Sequence, residues 1–414
     1  MFLLMKKSLK HILYSIIATI VVIIICYVFD NIPYPFGANT VSLTFKESIA
    51  RRANKPLSYY DSVVFINTGY DLELVKTENG MEAITNRDSL LKFLKDIQDF
   101  DYRYMFIDIR FEKGITTPSD SALVAQICSM RDIIVAKHWN YENQKDYELI
   151  DNSLLNKSAY CDYTYSLYNS SFSKYQYLQP NGNSAALEMY NKVNDGNIRV
   201  HKIGKIILWY SDIKRHWLCF NSLFLTISDR FIDQESSTDH SAKYLNLGSD
   251  IYGWYGLDGW YSLSDLRDYC KDKIICIGDF AFDLHDTYNG KQPGTYLHWL
   301  AYDSLCKGKH IINNWWLLVL FILYTSIFFC KSIRFDLAHF IKNRFWSFMV
   351  TLLGSSFILS VVCYISYWNN GPIISIFIPS AAFSLYNLII QYREYDGYSK
   401  KSKNDTGSSD ITVI

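Results

Sequence analysis

The stretch KIICIGDFAFDLHDTYNGKQPGTYLHWLAYDSLCKGK, from Lys273 to Lys309, decides the fold of this protein. Its apolar run Ile274 to Ile277 has the length and the flanks of a buried strand, and Gly278 ends that run. A polar loop follows, and Pro293-Gly294 then opens a helix whose apolar residues recur at helical spacing until Gly308. Open α/β sheets bind their ligands beyond the carboxyl ends of their strands, so this loop is the first place to expect a site.

We predict that polar residues of this loop and of two earlier segments bind or frame a ligand. The predicted site residues are Asp108, Arg87, Asp279, Asp283, His285, Asp286 and His298. Carboxylate and imidazole groups together suit a divalent cation. Their spacing matches no standard structural zinc site, so neither a metal nor a cofactor is predicted.

A structural role for the same residues stays open. Asp283 and Asp286 are also suited to accept hydrogen bonds from loop N–H groups or to cap the helix that follows. His298 fits a buried structural histidine beside an apolar helix face, and Asp108 fits an ion pair with a nearby arginine.

The chain before this stretch alternates predicted strands and helices. Apolar runs predict strands at 62–68, 104–109 and 133–138, and Asn86 and Ser119 are placed to cap the helices between them. Strands and helices that alternate at this spacing predict a parallel sheet with right-handed crossovers. The fold class is therefore an α/β domain with a mainly parallel sheet and loop insertions.

The middle of the chain is less regular. Residues 140–196 are rich in Tyr, Asn and Ser and predict loops and hairpins, with one helix near 185–193. One or two strands are predicted in 199–210, and residues 212–261 show little periodicity. We interpret these segments as insertions that decorate the α/β core.

Uncharged apolar stretches predict transmembrane helices at 12–29, 315–330, 345–368 and 372–390. We expect Pro379 to kink the last of them. Ser347, Thr351 and Ser355 form a stripe of small side chains that favours close contact with another helix. The simpler interpretation is that this helix belongs to the same chain and not to a second copy.

Basic residues indicate the orientation of these spans. They precede the first span, separate the second from the third, and follow the last. Positive charge on short loops marks the cytoplasmic side. The predicted topology is a cytoplasmic N-terminus at 1–11, an extracytoplasmic domain at 30–314, a basic cytoplasmic loop at 331–344 and a short disordered cytoplasmic tail at 391–414.

Composition argues against several classes of function. Basic and acidic residues number 41 each, so no net charge favours nucleic acid as a partner. The predicted spans contain no Asp, Glu, Lys, Arg or His, which disfavours a transporter or a channel. The chain has no nucleophile-elbow, zinc-protease, P-loop or dinucleotide-binding motif, so we predict no enzyme activity. Its nine cysteines include no C-x-x-C pair, and their connectivity cannot be read from sequence.

The end of the domain resembles the closing motif of the type-2 CHASE domain, an extracytoplasmic sensory module associated with cyclases and histidine kinases. The matching residues are Gly278-Asp279, Asp283-x-His285-Asp286-Thr287, Pro293-Gly294 and His298. Earlier segments are also similar: FINTGYD at 65–71, Arg87, FIDIRF at 106–111, Asp120, and Ser184 to Leu187. The chain departs from the family pattern at Asn67, where aspartate is usual, and at 80–84, where a Trp-Pro-Trp run is replaced.

This resemblance implies a sensory function. Proteins of that family place one membrane helix before the domain and three after it, the order that hydropathy predicts in this chain. We expect a multi-pass protein of the inner (cytoplasmic) membrane that passes a signal to a separate effector. The expected partners are the lipid bilayer, that effector or an envelope protein, and a small-molecule or envelope ligand. The alternative is a scaffold subunit of a cell-envelope complex.

Overall fold

The computed structural model describes residues 2–30, 62–78, 80–140, 143, 145–162, 164–165, 172–179, 182–194, 198–203, 206–212, 224–226, 244–253, 262–287, 290–306, 314–333, 335, 340–368 and 374–406. The chain divides into two compact units. Residues 49–311 form the α/β unit, and residues 1–48 with 312–414 form the helical unit.

The elements are numbered in chain order. The α-helices are α1 Phe2–Asp30, α2 Arg87–Asp96, α3 Asp120–Ser129, α4 Ala185–Val193, α5 Leu263–Cys270, α6 Gly294–Cys306, α7 Asn314–Ser332, α8 Arg344–Trp368 and α9 Phe377–Thr406. The strands up to the middle of the chain are β1 Val63–Asn67, β2 Leu72–Thr77, β3 Gly80–Thr85, β4 Tyr104–Asp108, β5 Ile133–Lys137, β6 Trp139–Asn140, β7 Lys145–Asp146, β8 Ser158–Tyr160 and β9 Thr164–Tyr165. The later strands are β10 Phe172–Gln176, β11 Leu178–Gln179, β12 Gly182–Asn183, β13 Ile198–Ile203, β14 Ile206–Asp212, β15 Phe224–Thr226, β16 Leu245–Asn246, β17 Ile274–Gly278, β18 Leu284–Thr287 and β19 Gly290–Pro293.

The centre of the α/β unit is a six-stranded sheet in the order β16-β1-β17-β4-β5-β8. Every neighbouring pair in it is parallel. Strands β1, β4, β5 and β17 are nearly continuous buried apolar runs, as expected for a parallel sheet covered on both faces. The predicted α/β class with a mainly parallel sheet is confirmed.

Alternate residues of each strand point to opposite faces of this sheet and divide the core in two. On one face, Phe65 and Phe106 belong to the same apolar cluster as residues of α4 and α6. On the other face, Ile66 and Ile107 cluster with residues of α2, α3 and α5. The last side chain of each strand is therefore directed toward one of two helical layers.

The stretch from Lys273 to Lys309 differs from its predicted structure in one respect. Where the sequence predicts a loop after β17, the structure has a hairpin of β18 and β19 that belongs to a second, smaller sheet. The register pairs Thr287 with Gly290, and residues 288–289 between the two strands lie outside the described residues. The hairpin pairs His285 with Gln292 and Asp286 with Lys291.

Two further elements have no counterpart in the predictions. Helix α5 begins with a capping box, in which the side chains of Ser262 and Asp265 each accept a hydrogen bond from the other residue's N–H group. The antiparallel hairpin β2–β3 follows β1.

Ser119 does precede α3, but its side chain makes no cap hydrogen bond and instead donates to the Asp88 carboxylate.

Among the residues of the helical unit that the structure describes, three helices are long and apolar enough to cross a membrane: Leu9–Val28, Trp315–Ser332 and Arg344–Ser366. They match three of the predicted spans. The fourth predicted span, 372–390, corresponds in part to α9, whose start at Phe377 leaves only a short apolar portion before its polar end.

Two predictions about the last helix are wrong. Pro379 does not interrupt it, because α9 begins at Phe377 and Pro379 lies in the first turn, where no intrahelical bond to its nitrogen is needed. The tail predicted to be disordered, 391–414, is helical up to Thr406, and residues 407–414 lie outside the described residues. One contact that favours this extension is the hydrogen bond from Gln391 to the Ser347 hydroxyl, 2.7 Å long.

The stripe of small residues makes a contact within the chain. Asn387 of α9 donates hydrogen bonds to the hydroxyl oxygens of Ser347 and Thr351, at 3.1 and 3.2 Å. Thr325 of α7 donates to Thr19 of α1 in the same unit. Polar side chains in apolar helices thus find partners on neighbouring helices, as they do in lipid.

Candidate functional site

Ionisable side chains meet at the carboxyl edge of the parallel sheet, on the face covered by α4 and α6. Asp108 is the last residue of β4, and His138 directly follows β5. Cys161 directly follows β8, and its side chain lies in the apolar cluster of that face. Thr295 and His298 approach from the first turns of α6. We call Asp108, His138, Cys161, Thr295 and His298 the carboxyl-edge cluster.

Asp108 is the acidic centre of this cluster. Its carboxylate accepts a hydrogen bond from the Thr295 hydroxyl at 2.9 Å, and its side chain is 9% exposed. The pKa of Asp108 is raised to about 6, mainly by burial and in part by the charge of Asp283, while His138, the Thr295 hydroxyl and His285 oppose the rise. The carboxyl group therefore exchanges its proton near neutral pH.

Gly278 of β17 makes room for the contact between Thr295 and Asp108. A Cβ atom on Gly278 would lie 2.0 Å from the Thr295 hydroxyl oxygen and 3.2 Å from the Asp108 Cβ. Only a glycine allows this close approach of a helix to the strand end.

His298 is fully buried beside Asp108. Its Nδ1 is hydrogen-bonded to the Tyr175 hydroxyl at 2.8 Å, and its Nε2 lies 3.9 Å from the Asp108 Oδ2. Burial lowers the pKa of His298 well below its ordinary value, and the neighbouring His138 and His285 lower it further. The imidazole is therefore neutral at physiological pH.

The other predicted site residues between Lys273 and Lys309 have different surroundings. His285 Nε2 lies 3.2 Å from Asp283 Oδ1, and both residues influence the pKa of Asp108, so the structure brings them near the cluster. Asp286 is exposed on β18. Asp279 binds its own loop, because its carboxylate accepts hydrogen bonds from the N–H groups of Ala281 and Phe282.

Arg87 does not join this cluster. It belongs to α2, on the opposite face of the sheet, and its side chain is buried over the ring of Phe111. Its guanidinium donates to the Arg110 carbonyl and lies 3.7 Å from an oxygen of Asp120. The structure therefore separates Arg87 from the other predicted site residues.

The cluster also includes residues that the sequence analysis missed, namely His138, Cys161 and Thr295, with Tyr175 and Asp162 next to them. His138 Nδ1 lies 3.7 Å from Asp162. Burial lowers the pKa of His138, but the carboxylates of Asp162 and Asp108 outweigh burial and raise it overall. The signal in the sequence is that Asp108, His138 and Cys161 each directly follow or end a short strand of the sheet.

Three residues of the cluster are close enough to share a metal ion. One ligand atom each from Asp108, Cys161 and His298 lies within 4.8 Å of the other two. More generally, the cluster offers a neutral imidazole, a carboxyl group that titrates near pH 6 and a hydroxyl group in one partly buried place. Such an arrangement suits recognition of a small polar ligand or of a cation.

Comparison of the chain with family models, with curated proteins and with solved structures finds no match. The resemblance to the type-2 CHASE domain therefore stays a prediction that rests on its motif residues.

Proposed function

We propose that this chain is a membrane-anchored sensory protein whose α/β unit binds a small polar ligand at the carboxyl-edge cluster. The observation that carries the proposal is the burial of Asp108 and His298 side by side at the edge of the sheet where α/β folds bind ligands. Ionisable groups with strongly shifted pKa values concentrate at functional sites, because burying them without a use is costly. The resemblance to an extracytoplasmic sensory module supports the same reading.

The proposed arrangement in the membrane has four spans, with the α/β unit outside the cytoplasm and both termini inside. Hydropathy and the basic residues beside the predicted spans support it. The fourth span would combine residues 372–376 with the apolar start of α9. The membrane would be the inner one, and the partner that receives the signal a separate effector or an envelope protein. The role that we propose for the carboxyl-edge cluster is ligand binding and not catalysis.

Protease access tests this topology. A protease site inserted after Lys113, whose side chain is 72% exposed in a turn of the α/β unit, should be cut from outside in intact spheroplasts. The same site inserted after Lys401 should be cut only after the membrane is permeabilised. Cleavage of both sites from the same side would contradict the proposed orientation.

Ligand binding is tested by thermal shift on the full-length protein in detergent. The probes are amino acids, sugars, nucleotides and cell-wall fragments, screened in the presence of EDTA so that metal ions do not contribute. A ligand selective for the native state at 100 times its Kd adds about 2.7 kcal/mol of stability, so at least one probe should raise Tm by several degrees. The shift should shrink in Asp108→Asn and persist in Asp101→Asn, which changes an exposed carboxylate.

The scaffold alternative has one observation in its favour. Leu72, Leu74 and Met81 lie on one face of the β2–β3 hairpin and are exposed, and Tyr70 and Phe282 add an exposed pair of rings in contact. Exposed apolar groups of this kind occur at protein interfaces. No thermal shift with any probe, together with a partner that co-purifies at fixed stoichiometry, would favour the scaffold over the sensor.

A further inference from the structure

We propose that Asp108, Cys161 and His298 bind one divalent transition-metal ion of the zinc type, through a carboxylate oxygen, Sγ and Nε2. The inference names a ligand class for the carboxyl-edge cluster and so rests on the ligand-binding function proposed above. It departs from the sequence-based expectation, which included no metal, because Cys161 is 53 residues from Asp108 along the chain and 137 from His298.

The geometry of the three groups is close to that of a zinc site. Bonds of ~2.0–2.3 Å in a tetrahedral site place the ligand atoms ~3.5 Å apart. The ligand atoms of the three residues lie within 4.8 Å of one another, and Nε2 of His298 is already 3.9 Å from Asp108 Oδ2. Binding therefore needs side-chain movements on the order of 1 Å.

The backbone fixes the positions of all three ligands. Asp108 ends β4, a central strand of the sheet. Cys161 directly follows β8, which is separated from β4 by β5. His298 lies on α6, which packs on the same face. Sites built on strands and helices hold their geometry better than sites on loops. Cys161 is 1% exposed and His298 is fully buried, so an ion held by them would be shielded from solvent.

Neighbouring residues orient the ligands in the way that outer-shell groups do in metal proteins. The Tyr175 hydroxyl is bonded to Nδ1 of His298, which directs Nε2 toward Asp108. The Thr295 hydroxyl donates to Asp108 Oδ2. With Nε2 bound to a metal, Nδ1 carries the proton and donates it to the Tyr175 oxygen.

The charges of the cluster favour a cation. Asp108 supplies a carboxylate ligand and Cys161 a thiolate, and both groups become more stable as anions when a cation binds them. Thiolate and imidazole ligands select zinc over magnesium or calcium, which prefer oxygen ligands only. Binding replaces the thiol proton of Cys161 with a sulfur–metal bond and releases that proton to the buffer. Three protein ligands leave the fourth tetrahedral position for water or for a polar ligand.

Cobalt substitution tests the proposal on the full-length protein in detergent, after the metal has been removed with EDTA and the chelator has been dialysed away. Added Co²⁺ should bind once per chain and give the near-ultraviolet absorption of thiolate-to-cobalt charge transfer, and Zn²⁺ should abolish this band by displacing Co²⁺. Cys161→Ser should remove the band. The matched control Cys276→Ser, which removes another buried thiol of the same core cluster, should keep it.

A second variant keeps the test decisive if Cys161→Ser does not fold. Asp108→Asn should retain the charge-transfer band but weaken Co²⁺ binding by ~10-fold or more. No band in the wild type, or a band that survives in folded Cys161→Ser, overturns the metal site. If the band is absent but an organic probe raises Tm in EDTA, the metal inference fails and the sensory function stands. If neither occurs, both fail.

Discussion

Arg87→Ala is expected to lower the free energy of unfolding of the α/β unit by about 3–5 kcal/mol, because it removes one partner of a buried ion pair. Arg87 is 1% exposed, and its guanidinium lies 4.5 Å above the centre of the Phe111 ring. Alanine would leave the Asp120 carboxylate without its cation, the Arg110 carbonyl without a donor and a cavity beside Phe111.

The measurement is the Tm of the full-length protein in detergent. For a unit of this size each kcal/mol corresponds to a shift of about 2–4 °C, so a decrease of ~10 °C is expected. Arg131→Ala is the matched control, since Arg131 pairs with Asp101 at the surface with both side chains more than half exposed. Exposed pairs contribute about 0–1 kcal/mol. Equal effects of the two substitutions would disprove a structural role for Arg87.

Asp71→Asn is expected to change the pH dependence of stability by about 3 kcal/mol. Asp71 is 1% exposed. The pKa of Asp71 is raised from 3.8 to about 6, mainly by burial and in part by the charge of Glu73, while the Ser89 hydroxyl opposes the rise. A rise of this size corresponds to about 3 kcal/mol of free energy.

The direction follows from proton binding. Between pH 4 and 6 the folded protein holds a proton on Asp71 that the unfolded chain has lost, so stability falls as pH rises through this window. Asparagine cannot ionise and removes this fall. The stability of Asp71→Asn relative to wild type should therefore increase by about 3 kcal/mol between pH 3 and pH 7.5.

Apparent Tm values of both proteins across that pH range, in one detergent, provide the measurement. Asp101→Asn serves as the control, because its exposed side chain is solvated in the folded and the unfolded state alike. Parallel Tm profiles for Asp71→Asn and wild type would show that Asp71 is not held in a desolvated place.

The core strands and several helices were predictable because local pattern and tertiary structure agree there. The apolar runs that predicted β1, β4, β5 and β17 are buried on both faces, so each reads as a short continuous block. Asn86 caps α2 as predicted, with its side chain accepting from the Ser89 N–H group. Helix α4 has the predicted bounds. Helix α5 was missed because it spans only 8 residues with few apolar side chains, although its capping box is visible in the sequence.

The sequence by itself determined the α/β class, three apolar helices long enough to cross a membrane and the strand-end position of the polar residues, because these depend on hydrophobicity and spacing along the chain. Tertiary structure alone decided which polar residues meet. It joined Cys161 and His138 to Asp108 and His298, and it assigned Arg87 to the other face. Parallel strands bring together the ends of segments that are far apart in sequence, and no local pattern records which ends those are.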